Sequence, residues 1–207
     1  MTEHAVDDDR PGSPADALAI IRNQQAQVSS AISPKAYLFF LFWGVAWIVM
    51  GVSGFLAGLG LFPGWVAGVL GTAAIVVAGA ASAVVGIRSG RGLAGQSSRQ
   101  GMLYGLCWPV SMIGVSVFVA AMSAVGGLSS DQMAIMVPAA YALVVGALYA
   151  ASGAVWGSLN NFVLGLWIVV VGGVSPFLGT PANLLFFGVG AGGGMLAVGI
   201  RELVRSR

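Results

Sequence analysis

The chain has 207 residues, of which 57% are hydrophobic and 8% charged, with a formal net charge of +2. A soluble domain carries about a quarter charged residues to keep its surface in water, so this composition, with a mean hydropathy of +0.91, excludes one. The small net charge offers no footprint for nucleic acid, and a single cysteine, Cys107, excludes an intramolecular disulfide or a cysteine-rich metal site.

Residues 1–12 include Glu3, Asp7, Asp8 and Asp9 and offer almost nothing to bury, which predicts a disordered acidic tail. The first 35 residues hold no short apolar segment ending in a small-residue cleavage site, so the first span is expected to remain as an uncleaved anchor. Residues 13–32 read as a juxtamembrane amphipathic helix on the cytoplasmic side. Ser13 suits the cap, Pro14 the first helical position and Asp16 the positive end of the helix dipole. Leu18, Ile21, Val28 and Ile32 then fall near one face, and Ser33-Pro34 ends the helix. Such a helix either lies at the lipid surface or against the bundle, or docks a soluble cytoplasmic partner.

Runs such as Leu38 to Val52 do not alternate apolar and polar residues as a barrel strand does. The fold class expected is therefore an all-α membrane protein, with six transmembrane helices arranged as three hairpins. The spans fall at about 36–61, 64–87, 101–125, 133–157, 161–177 and 182–200. Phe62-Pro63-Gly64, Ser89 to Gln100, Gly126 to Gln132, Ser158 to Asn161, and Ser175-Pro176 to Thr180-Pro181 punctuate them. A basic tail, 201–207, closes the chain.

Arg22 and Lys35 precede span one, Arg88, Arg91 and Arg99 lie between spans two and three, and Arg201, Arg205 and Arg207 follow span six. With six spans these fall on one side, and the opposite loops carry one charge, Asp131. The positive-inside rule then predicts a plasma-membrane protein with both termini in the cytoplasm.

The first and last hairpins show self-similarity. Trp47-Ile48-Val49 corresponds to Trp167-Ile168-Val169, and Gly86-Ile87-Arg88 to Gly199-Ile200-Arg201. Either a parallel duplication or chance matching among Gly, Val and Ile produces this. Small residues recur four apart at Ala74, Ala78, Ser82 and Gly86 in span two. In span six, Gly188 pairs with Gly192 and Gly190 with Gly194. Lipid gives helices no hydrophobic reason to associate, so close backbone approach across small residues is how they gain contact. Spans two and six are therefore expected to be the inner helices, with Gly192 a position where leucine hinders packing.

Gly188 to Gly193 matches the dinucleotide fingerprint letter for letter, but it lies within an apolar span and lacks the strand before it and the acidic residue about 20 positions on. It is read as helix packing. His4, the sole histidine, sits in the acidic tail, and no Asp, Glu, Lys or Arg lies within any assigned span. Intramembrane ionisable groups are costly and kept for proton coupling, ion passage or catalysis, so a proton pump, a proton-coupled carrier and an aspartate-based intramembrane protease are excluded. No catalytic, cofactor-binding or metal-binding residue is assigned. Pro109 should kink span three, with Cys107 and Ser111 close by, and Tyr141 lies in span four beside Pro138. These residues serve either kinks and interhelical bonding or a neutral cavity between spans three and four with Pro109 as hinge.

The stretch Leu18 to Trp47, with Ile20-Ile21-Arg22-Asn23-Gln24-Gln25, Ser33-Pro34 and Phe42-Trp43-Gly44-Val45-Ala46-Trp47, resembles uncharacterised six-span integral membrane proteins of high-GC actinobacteria. That resemblance implies a plasma-membrane location and no known activity. The glycine-spaced hairpins are more distantly similar to the three-hairpin acid-resistance membrane protein family, from which the middle hairpin and the long N-terminal arm depart. The function expected is a non-enzymatic membrane component acting through a partner, either a second copy or a soluble cytoplasmic protein, met by the N-terminal helix and the Arg88 to Arg99 loop. The alternative is a channel or permease subunit for a neutral or small solute.

Overall fold

The computed structural model describes residues 13–15, 18–20, 36–90 and 96–206. The acidic tail, most of the amphipathic helix, Arg91 and Arg207 lie outside the described residues. The chain divides into two units, residues 1–34 and 35–207. In the first, residues 14–15 and 18–20 are helical.

The second unit consists of α1 (Ala36–Gly58), α2 (Gly64–Gly90), α3 (Gln96–Ala124), α4 (Ser130–Trp156), α5 (Leu159–Val174) and α6 (Ala182–Arg205), with a 3₁₀ turn at Ser175–Leu178 after α5. Each of six segments, the fifth running on through that turn, is long and apolar enough to cross a bilayer. The described residues contain no strand. The chain is an all-α, multi-pass integral membrane protein, because only helices with every backbone group internally bonded, or closed barrels, tolerate hydrocarbon.

Local chemistry sets several boundaries. Ser129 and Gln132 form a reciprocal capping box at the start of α4: the Gln132 amide donates to Ser129 Oγ, and the Ser129 amide to Gln132 Oε1 at 2.8 Å. Gly157 ends α4 with φ 64°, a left-handed conformation that glycine adopts without penalty. The link between α2 and α3 is shorter than the expected 89–100, because both helices continue through their arginines. An apolar criterion stops at the first charge. A helix does not, since an arginine at its end extends its guanidinium to water.

Glycines on both sides of a contact decide the packing. A Cβ on Gly51 would lie 2.5 Å from Gly188 Cα, one on Gly188 2.6 Å from Gly51 Cα, and one on Gly192 2.7 Å from the Gly44 carbonyl oxygen. The backbones of α1 and α6 thus touch antiparallel along their length, and this is the most extensive helix pair. The α4–α5 pair is built the same way: a Cβ on Gly146 would meet the Gly165 carbonyl at 2.7 Å, and one on Gly172 the Ala142 methyl at 2.6 Å. Within the first pair Trp47 of α1 stacks on Phe187 of α6 with ring centroids 4.8 Å apart, and between the pairs Phe40 of α1 meets Tyr149 of α4 at 5.8 Å. Ile168, Ala142 and Ala191, fully buried, complete the centre.

Span six is an inner helix as expected, but span two is not. Only 11% of the apolar stretch of α2 and 6% of that of α3 are buried, against 28% to 39% for the other four. The core is therefore α1, α4, α5 and α6, with α2 and α3 at its edge. In α2, Ala78 is buried and Ala74 half-buried, but Gly86 is exposed with no atom of a described residue within 4 Å of a Cβ placed there. Ser82 acts as an acceptor, taking the Trp43 indole N–H at 3.1 Å. The reason is physical: a run of small residues permits close approach on one face without supplying a second helix to approach. In α6 the permission is used on two faces, Gly188 and Gly192 against α1, Gly190 against Val171 and Gly194 against Trp167 of α5.

Candidate functional site

The helix pairs joined by long-range side-chain bonds near the arginines run antiparallel. Trp43 meets Ser82, Tyr104 the Leu148 carbonyl and Trp167 the Gly190 carbonyl. The end of α2, the start of α3 and the end of α6 therefore share one end of the bundle. Arg88, Arg99, Arg201 and Arg205 all lie there, exposed, while Asp131 lies at the opposite end.

At the Asp131 end, one polar contact ties α4 to α6. Pro138 sits inside α4 and has no N–H, which frees the Ala134 carbonyl of its helical donor. Asn183, fully buried, donates its Nδ2 to that carbonyl at 2.9 Å. Its Oδ1 has no hydrogen-bond partner. Sequence reading noted Pro138 but missed Asn183; the available signal was an asparagine inside an apolar span, where an amide must find its partner within the protein.

The proposed hinge residues do not converge. Pro109 lies exposed within an unbroken α3, and Cys107 is exposed with its thiol directed to the Leu103 carbonyl at 3.4 Å. Ser111 is half-buried. Tyr141 reaches α3 elsewhere: its hydroxyl pairs with Ser116 Oγ at 2.7 Å, and Ser116 also donates to the Met112 carbonyl. Together with the Tyr104 hydroxyl on the Leu148 carbonyl at 2.6 Å, this is the polar fastening of α3 to α4. Along the rest of α3, Val110, Ile113 and Val117 are each more than 60% exposed. Spaced three and four apart, they form one uncovered apolar stripe.

At the arginine-bearing end, a groove of about 300 Å³ runs between α5 and α6. Its walls are Val163, Leu164 and Trp167 from α5 and Gly194 and Val198 from α6, and Asn160 and Arg201 stand at its mouth. The spacing of these residues is that of one face on each helix over two turns. Gly194 makes the trough, since a Cβ there would strike the Trp167 ring at 2.7 Å. The Trp167 N–H is taken by the Gly190 carbonyl at 2.9 Å, fixing the ring as a wall. At the mouth, Asn160 Nδ2 donates to Glu202 Oε1, and Arg201 Nη1 donates to Asn160 Oδ1 at 3.2 Å. The asparagine amide thus stands between the two opposite charges. Cys107, Pro109, Ser111 and Tyr141 do not line this groove. Among the described residues no three His, Cys, Asp or Glu side chains gather as a metal site would require.

Comparison with protein-family models, with curated proteins and with solved structures gave no match in any of the three.

Proposed function

We propose that this protein is a non-enzymatic component of a bacterial plasma membrane, of the kind seen in high-GC actinobacteria, that acts through a partner held against α3. The observation that carries this reading is the 6% burial of the apolar stretch of α3, a helix of 29 residues at the edge of a bundle whose α1–α6 and α4–α5 pairs are in backbone contact. Small residues on exposed α3, Gly101, Gly105 and Gly114, leave open space where another helix can approach. The partner is a second copy of this chain or another protein, and Arg99 in the first turn of α3 and Arg88 in the last turn of α2 lie on the side read as cytoplasmic.

A photoreactive residue at Ile113 or Val117 in native membranes tests this. We expect a protein adduct of defined mass from α3 and only lipid adducts from the comparably exposed Val170 of α5. Lipid adducts alone from both helices would overturn the reading.

A further inference from the structure

We propose that the groove between α5 and α6 binds an anionic phospholipid, with the phosphate on Arg201 and an acyl chain along Val163, Leu164, Trp167 and Gly194. The charge at its mouth is the first argument. Arg201 is exposed and gives one N–H to Asn160 Oδ1. A guanidinium has five donors. The nearest carboxylate, Glu202, is engaged by the other end of the same Asn160 amide, so Arg201 holds no ion pair among the described residues.

Depth is the second argument. Arg201 follows an uncharged run from Ala182 to Ile200 and is the first charge at the end of α6. It stands where the hydrocarbon ends and lipid phosphates begin, on the face where Arg88, Arg99 and Arg205 also lie. Shape is the third. The groove opens sideways to the bilayer beside Leu159, Val163 and Trp167, which are 73%, 55% and 47% exposed. Its apolar walls suit a chain, and its one cation suits a phosphate. A zwitterionic headgroup would bring a second cation against Arg201, which disfavours it relative to a net negative lipid.

Asn160 is a positioning residue. It accepts from Arg201 and donates to Glu202, and so holds the guanidinium over the groove instead of letting the two charges collapse onto each other.

The test uses the full chain, purified and reconstituted in nanodiscs containing phosphatidylglycerol and phosphatidylcholine, then extracted and weighed by native mass spectrometry. Wild-type protein should retain one phosphatidylglycerol in preference to phosphatidylcholine. Arg201→Gln should weaken that retention about fivefold, the factor matching about 1 kcal/mol of attraction per surface arginine. Val163→Trp, which fills the groove at an exposed position, should weaken it without lowering the thermal midpoint. Free glycerol phosphate should not compete, because it lacks the chain. Equal retention of both lipids, unchanged retention by either variant at wild-type thermal stability, or displacement by glycerol phosphate would each overturn the proposal.

Discussion

Gly192→Leu will lower both the membrane yield and the thermal midpoint of the purified protein, while Gly86→Leu will leave both at or slightly above wild type. Both glycines belong to four-residue series of small residues, and sequence spacing treats them alike. At Gly192 even a Cβ would lie 2.7 Å from the Gly44 carbonyl oxygen and 3.1 Å from the Ile48 amide nitrogen. Those are backbone atoms of α1 that cannot rotate away, so the helices must separate along their best contact. Overpacking of this kind costs about 1–3 kcal/mol, and more where several contacts part together. Glycine to leucine within a helix meanwhile contributes roughly 0.5–1 kcal/mol of helix propensity. At Gly192 the overpacking wins. At Gly86, where a Cβ meets no atom of a described residue within 4 Å, only the propensity remains. A Gly192→Leu protein as stable as wild type would mean that α1 and α6 are not in backbone contact.

Asn183→Leu will destabilise the protein strongly in the native background and weakly in a Pro138→Ala background. The native cost arises because the Ala134 carbonyl, which Pro138 deprives of its helical donor, loses the Asn183 Nδ2 as well. A buried acceptor left unpaired costs about 1–3 kcal/mol. Alanine at 138 returns an N–H to the helical ladder, so the carbonyl no longer depends on the asparagine. What then remains is an ordinary interhelical bond, about 0.6 kcal/mol on average in a membrane. It is offset in part by removing Asn183 Oδ1, a buried oxygen without a partner. Thermal unfolding of the four proteins gives the coupling directly. Equal effects of Asn183→Leu in the two backgrounds would show that Pro138 and Asn183 act independently.

The two cases show how much of this molecule the sequence makes legible. Six apolar segments with glycine and proline between them are visible because hydrocarbon tolerates nothing else over that length, and Ser129 with Gln132, or Gly157, mark ends by local chemistry alone. The order of packing is not local. Gly188 and Gly192 stand out in α6, but their partners Gly44 and Gly51 are separated by seven residues, outside the four-residue series, so the face on α1 was not read. Ala74, Ala78, Ser82 and Gly86 do have that spacing, yet only Ala78 is buried. Polar groups divide similarly. Tyr141 was noticed, but Ser116, its partner 25 positions away, carries no signal until the two helices are side by side. The groove was invisible for the same reason: Asn160 read as a loop residue and Arg201 as a topology marker, and their contact spans 41 positions.

A four-helix core with two edge helices, all charge but Asp131 gathered at one end among the described bundle residues, requires six complete crossings. Cysteine labelling tests that most directly. In a Cys107→Ser background, single cysteines at Leu61, Thr180 and Ser206, exposed between or after helices, and at Ser130, exposed at the first residue of α4, are treated with a membrane-impermeant maleimide in sealed vesicles of known orientation. Positions 61, 130 and 180 should label from one face and 206 only from the other. Labelling of any of the first three from the face that labels 206 would contradict the six-crossing arrangement.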